Sequence, residues 1–315
     1  MSQSAAQFGK ETGTDGSWQR QKSAFGDWVR ADGSTEFPAE AGRYHLYVCK
    51  ACPWAHRAMI VRRLKGLEGV IGMTVVDPIR DDRGWRFGGH DPAHGEPDPL
   101  HDWTYLSEAY AATDPDFDMR VTVPTLWDTR TNRIVNNESG DVMRMLGSEF
   151  DAFATNPDLD LYPTELRGEI DSINEWVYAT VNNGVYACGF AVSQSAYEDA
   201  FIQLFASLDR IEGMLAERRY LTGAVITEAD WRLFTTLVRF DAVYVGHFKT
   251  NQRRIIDYPN LWGYARELAQ VEGVWATVDM DHIKRHYYVT HPKINPTGIV
   301  PMGPEVDWDE PHERD

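Results

Sequence analysis

A five-residue run of strand-forming residues, Tyr44-His45-Leu46-Tyr47-Val48, leads through Cys49-Lys50-Ala51 to Cys52-Pro53. No other junction in the chain constrains the fold as much. Pro53 suits the first turn of a helix, where its missing N–H costs nothing. Ala58, Met59, Ile60, Val61 and Leu64 then supply an apolar helical face. Val70–Val76 reads as a second strand. The opening is therefore a βαβ unit, expected to be parallel and right-handed.

Downstream, Tyr105–Ala112 has helical character. Arg120–Trp127 and Arg133–Asn137 read as an antiparallel hairpin in which Pro124, unable to donate to a ladder, starts its strand. Glu138-Ser139-Gly140-Asp141 opens another helix. Beyond about residue 160 no strand pattern remains, and helical periodicity covers about 164–182, 195–217, 228–247 and 260–270. Thr227-Glu228-Ala229-Asp230 reads as a capping box with Asp in the usual Glu/Gln place. The expected division is an extended arm over 1–42, an α/β domain over 43–155, a helical domain over 160–281 and an ordered tail over 282–315. Trp18, Phe25 and Trp28 are the expected pins of the arm. The Gly-, Pro-, Asp- and His-rich segment 78–103 reads as a long polar loop with His90, His94 and His101 in solvent. A length of 315 residues fits two domains.

The chain carries 31 Lys and Arg against 48 Asp and Glu, a formal charge of −17. That balance argues against a nucleic-acid partner, since phosphate affinity rests on clustered cations. No apolar run approaches the ~18–20 residues needed to cross a bilayer. The first residues lack the basic and apolar regions of a secretory signal, and three cysteines do not make a disulfide framework. A cytoplasmic setting is expected. Neither a metal nor a nucleotide is expected: no second Cys-x-x-Cys or close His pair completes four ligands, and no Gly-rich phosphate loop is present.

Three constellations carry chemistry. Cys52 stands where a helix N-terminus offers free N–H groups and partial positive charge, an environment that favours a thiolate over a thiol. Cys49 forms a Cys-x-x-Cys with it, but in a dithiol site the nucleophile comes first and the resolver sits one turn into the helix, where this chain has Ala55. Cys49 therefore reads as incidental, and Cys188 as a packing residue. Val123-Pro124 is the context in which thioredoxin-like folds use a cis-proline, leaving the Val123 N–H and C=O to pair with an extended peptide. Glu138-Ser139 at a helix start suits a carboxylate and an ammonium, or serves as an ordinary cap. Together they describe a receptor for a zwitterionic cysteine tripeptide.

These features, with the all-helical second half, resemble the glutathione transferase fold. The runs Ala51-Cys52-Pro53-Trp54-Ala55-His56-Arg57, Arg120-Val121-Thr122-Val123-Pro124, Val135-Asn136-Asn137-Glu138-Ser139 and His282-Ile283-Lys284…Tyr287-Tyr288…Ile294-Asn295-Pro296 are similar to the glutathionyl-hydroquinone reductases, the xi class of that superfamily. The resemblance implies a thioredoxin-like N-terminal domain, an all-helical C-terminal domain, glutathione as co-substrate, a glutathionylated quinol as substrate and a homodimer. It implies that Cys52 takes glutathione as a mixed disulfide, which a second glutathione resolves, with Tyr186 and Tyr287 as phenolic proton donors and Tyr288 beside them. By the same resemblance Trp85, placed in a polar loop and expected to be exposed, covers the glutathione, while Arg120 meets one of its carboxylates. His56 is near enough to hydrogen-bond in the site, although capping or packing fits it better. The rivals are an omega-like thioltransferase or dehydroascorbate reductase, and a non-catalytic glutathione-binding scaffold.

Overall fold

The computed structural model describes residues 11–89 and 94–314; His90 and the first ten residues of the expected arm lie outside that range. The described chain forms two compact units. One comprises Gln21–Asp160 with Ala276–Thr290, and the other Glu11–Arg20, Leu161–Trp275 and the segment from His291.

The first unit is built on a four-stranded sheet of order β2-β1-β3-β4. β1 (Tyr44–Val48) pairs parallel with β2 (Gly72–Val75) through α1 (Pro53–Leu64), and antiparallel with β3 (Thr125–Asp128), which pairs antiparallel with β4 (Arg133–Asn136). Pro124 directly precedes β3, as the missing N–H requires, and the Val123–Pro124 bond is cis. This is the thioredoxin-like order of strands. Every residue of β1 and β3 is buried, and α1 is buried from Pro53 through Val61, so the helix packs nearly all round. Arg43 anchors the sheet: its Nη2 lies 2.7 Å from the buried Asp128 carboxylate at the end of β3. α2 (Ser107–Thr113) and α3 (Ser139–Arg144) complete this part.

The arm is more than a surface strap. Phe25 packs against Tyr110 and Phe117 at 5.5 and 5.8 Å between ring centroids, Trp28 Nε1 donates to Glu149 at 3.1 Å, and Val29 and Phe37 are core residues. The Asp- and Gly-rich loop is also structured where described. Asp98 is buried and accepts from the Tyr47 hydroxyl at 2.9 Å and from the amide of His101 at 2.8 Å.

The second unit is helical: α4 (Arg167–Val177), α5 (Gly184–Phe190), α6 (Gln194–Glu217), α7 (Glu228–Arg239), the short α8 (Val245–His247) and α9 (Pro259–Ala269). Two of its helices are capped by side chains, α7 by the box read from the sequence and α6 by Ser193, which the sequence reading did not name. Ser193 accepts from the Ala196 amide at 3.2 Å, and the Thr227 amide donates to Asp230 at 2.7 Å. Asp230 also accepts from the Leu221 amide and the Tyr264 hydroxyl. Tyr186, Phe190, Tyr244, Phe248 and Trp18 form an aromatic cluster.

The expected tail over 282–315 differs at its start. Residues 282–290 belong to a helix, α10 (Met280–Thr290), which groups with the sheet unit. Its buried face consists of His282, Ile283, His286, Tyr287 and Thr290, a set whose histidines hide the apolar periodicity.

Candidate active site

Cys52 is the N-cap of α1, with extended backbone (φ −77°, ψ 119°), and Pro53 follows as the first helical residue. Its amide donates to the Cys49 carbonyl at 3.0 Å, closing a tight turn between strand and helix. The thiol caps no helix amide; it points to the carbonyl oxygen of Val123 at 3.5 Å. A carbonyl partners a thiol and repels a thiolate, so a sulfur that attacks has to leave this contact. Cys52 is 9 % exposed whereas Cys49 is fully buried. All three cysteines are thiols, and burial pushes Cys188 up to about 12, out of reach of ordinary thiol chemistry.

Val123 stands across from that sulfur, and among the described residues its amide N–H makes no hydrogen bond. That leaves one backbone donor, on the residue whose carbonyl meets Cys52, for an extended ligand. Asn137, Glu138 and Ser139 follow β4. Glu138 caps α3, accepting from the Gly140 amide at 3.2 Å, and its other oxygen accepts from Ser23 Oγ of the arm at 2.8 Å. Ser139 is buried, its Oγ 3.4 Å from Glu138 Oε1 and 3.3 Å from Nη1 of the buried Arg57. Arg57 went unremarked in the sequence; the available signal was a guanidinium on the apolar face of α1, five residues beyond Cys52. Arg120 is half-buried and exchanges two 2.9 Å backbone bonds with the Gln21 side chain.

Trp85 corrects an expectation. It is 4 % exposed rather than solvated. α10 brings His286 parallel to its ring at 5.2 Å, and the Arg80 guanidinium lies 5.2 Å from the ring centre. The Trp85 indole N–H is buried without a partner among the described residues, a donor available to a bound molecule. His286 in turn bonds the Pro78 carbonyl through Nδ1 at 2.6 Å. Tyr287 is buried edge-on to His286 at 5.1 Å, and Tyr288 is half-buried, its phenol raised by burial. His56 is fully buried and bonds Thr277 Oγ1 at 2.7 Å, a packing role. His94 and His101 are not solvated either: His94 Nε2 lies 2.7 Å from Asp281, and His101 stacks on Trp103 at 4.1 Å.

The sheet unit thus contains Cys52, His56, Trp85, Arg120, Val123, Glu138, Ser139, Tyr287 and Tyr288, whereas Tyr186 belongs to the helical unit, stacked on Trp18 at 5.6 Å. Among the described residues no cluster of three His, Cys, Asp or Glu is placed to hold a metal ion, and no helix is long and apolar enough to cross a membrane.

Residues 51–149 match the family model for the glutathione S-transferase N-terminal domain, and residues 194–267 match the model for the C-terminal domain. The chain is 50 % identical over 308 residues to the glutathionyl-hydroquinone reductase YqjG of Escherichia coli, covering 96 % of this chain and 93 % of that one. It is also 50 % identical to the glutathionyl-hydroquinone reductase PcpF of Sphingobium chlorophenolicum, covering 91 % and 93 %. Among solved structures, the glutathione-bound form of YqjG superposes with a TM-score of 0.89 over 95 % of this chain and 97 % of that one. The Xi glutathione S-transferase of Phanerochaete chrysosporium gives 0.90 at 50 % identity, over 93 % and 94 %. The chain belongs to the glutathione S-transferase family, in its Xi class.

Proposed function

We propose that this protein is a glutathione-dependent reductase of S-glutathionyl-hydroquinones that works through Cys52. The observation that carries the proposal is the sulfur of an N-cap cysteine, ahead of Pro53, 3.5 Å from the Val123 carbonyl on the residue before a cis-proline. In the proposed reaction the Cys52 thiolate attacks the sulfur of the conjugate. The sulfur–carbon bond breaks, its electron pair stays on the ring carbon, and that carbon takes a proton. The hydroquinone leaves, Cys52 holds glutathione as a mixed disulfide, and a second glutathione frees it as oxidised glutathione. Tyr186 and Tyr287 are the proposed proton donors, with Tyr288 alongside. The Val123 backbone, Glu138, Ser139, Arg120 and Trp85 are the proposed glutathione contacts. The indole N–H of Trp85 and the amide of Val123, neither with a partner among the described residues, support that set. His56, tied to Thr277, is proposed to hold α1 in place. We extend the proposal to a homodimer in the cytoplasm, a reducing setting that three free thiols suit.

The test is release of hydroquinone from glutathionyl-menadiol with formation of oxidised glutathione, against a Cys52→Ser control. Full activity in that variant sinks the mechanism. Turnover of dehydroascorbate or mixed disulfides alone indicates a thioltransferase instead, and binding of glutathione without turnover of either indicates a scaffold.

A further inference from the structure

The proposed cycle leaves one thiol beside the nucleophile unused. Cys49 directly follows β1, and the Cys52 amide bonds its carbonyl at 3.0 Å. Such a four-residue turn brings its end Cα atoms within about 7 Å, close to the ~4.4–6.8 Å that a disulfide spans. The two sulfurs have different neighbours. Cys52 points to the Val123 carbonyl, whereas Cys49 Sγ lies 3.9 Å from Nδ1 of His282 on α10. The other nitrogen of that ring, Nε2, lies 3.3 Å and 3.1 Å from the carbonyl oxygens of Val76 and His94. Only an N–H satisfies two carbonyls, so Nε2 carries the proton and Nδ1 presents a lone pair to the Cys49 thiol. Burial, which holds the His282 imidazole down to about 4, keeps it in this neutral form. Cys49 is fully enclosed and Cys52 is not, so a bulky disulfide meets Cys52 first.

We propose that Cys49 is a resolving thiol: resting on the reading of Cys52 as the glutathione-accepting sulfur, it captures the Cys52–glutathione mixed disulfide as a Cys49–Cys52 disulfide and releases glutathione. Glutathionylation removes the S–H that ties Cys52 to Val123, freeing its sulfur within the turn. The Cys49 sulfur then attacks the Cys52 sulfur as its proton passes through Nδ1 of His282, which hands it on to solvent and returns to the neutral form. The Cys52–glutathione bond breaks, and its electron pair leaves with the glutathione sulfur, which takes up a proton from solvent. Two glutathiones subsequently reopen the protein disulfide and leave as oxidised glutathione. The overall stoichiometry is unchanged: one conjugate and one glutathione give one hydroquinone and one oxidised glutathione. What changes is the state in which the enzyme waits when glutathione is scarce, with its nucleophile closed in a disulfide rather than open to irreversible oxidation.

The experiment mixes fully reduced protein, free of glutathione, with one equivalent of oxidised glutathione in one arm and of glutathionyl-menadiol in the other. Intact mass and released glutathione are then measured. The expected wild-type product is two hydrogens lighter than the reduced chain. Because Lys50 lies between the two cysteines, trypsin without reductant should yield the 44–50 and 51–57 peptides joined. Cys49→Ser and Cys49→Ala should stop one glutathionyl group heavier, with the adduct on Cys52. A wild-type protein that also stops at that adduct overturns the proposal, using no variant at all. Joined peptides in the oxidised-glutathione arm, with no hydroquinone in the other, uphold the resolving thiol and overturn the quinol activity.

Discussion

Nη1 of Arg57 lies 3.3 Å from Oγ of Ser139, and both side chains are buried. A buried guanidinium beside that hydroxyl adds positive charge where a carboxylate of glutathione is proposed to sit. A hydrogen bond to a charged group is worth ~1.5–3 kcal/mol, roughly tenfold or more in affinity. Arg57→Met should therefore raise KM for glutathione about tenfold or more while lowering kcat at saturation much less, with Arg57→Lys in between. Unchanged KM together with a lowered Tm would mean that Arg57 serves packing alone.

Trp85 is buried against His286 and beneath Arg80. A side chain that only covered a ligand would leave stability untouched on removal. This one should not: Trp85→Ala is expected to cost about 3–5 kcal/mol in urea unfolding of the ligand-free protein. A ligand-free stability within error of wild type would return Trp85 to the role of a simple cover.

Gly189 sits on α5 directly against the Phe248 ring, and a Cβ there would overlap it. Phe248 is fully buried and packs on Tyr186, Phe190 and Tyr244, so it has no solvent side to retreat to. Gly189→Ala is predicted to destabilise by about 1–3 kcal/mol and to change the near-ultraviolet dichroism of the aromatic cluster. Gly213→Ala, with open space around its Cβ, is the control and should be neutral or stabilising.

Burial depresses three imidazoles, His45, His247 and His282, to about 4. In the unfolded chain each titrates near 6.5. Above that pH neither state is charged and the contribution to stability is complete. Between about 6.5 and 4 the unfolded chain binds protons that the native one refuses, so this contribution is lost as pH falls. Replacing His45 with Asn should reduce proton uptake on unfolding in that window by about one, as read from the pH slope of denaturation. An unchanged slope would mean that the buried ring is charged.

The strand–helix junction was legible because its signals are local. Pro53 fixes the first turn, Cys52 precedes it, and the strand-forming run Tyr44–Val48 needs no distant partner. The same holds for the cap at Thr227 and Asp230, whose members are three residues apart. Trp85 and α10 were not legible, for one shared reason. Trp85 is buried by His286, some two hundred residues later, and α10 buries histidines that read as polar until their partners, the carbonyls of Val76, Pro78 and His94, are seen. Arg57 was hidden likewise: its partner, Ser139, is supplied by the far end of the sheet.

The placement of α10 with the sheet has a practical meaning for anyone dissecting the chain. Lys50 bonds Asp279, His56 bonds Thr277, and the carbonyls of Val76 and Pro78 receive His282 and His286. A recombinant fragment cut at residue 160 would strip all of these at once, uncovering the underside of α1 and the edge beside β2. The thioredoxin-like half is contiguous in space but not along the polypeptide, and excising it calls for splicing residues 276–290 back on.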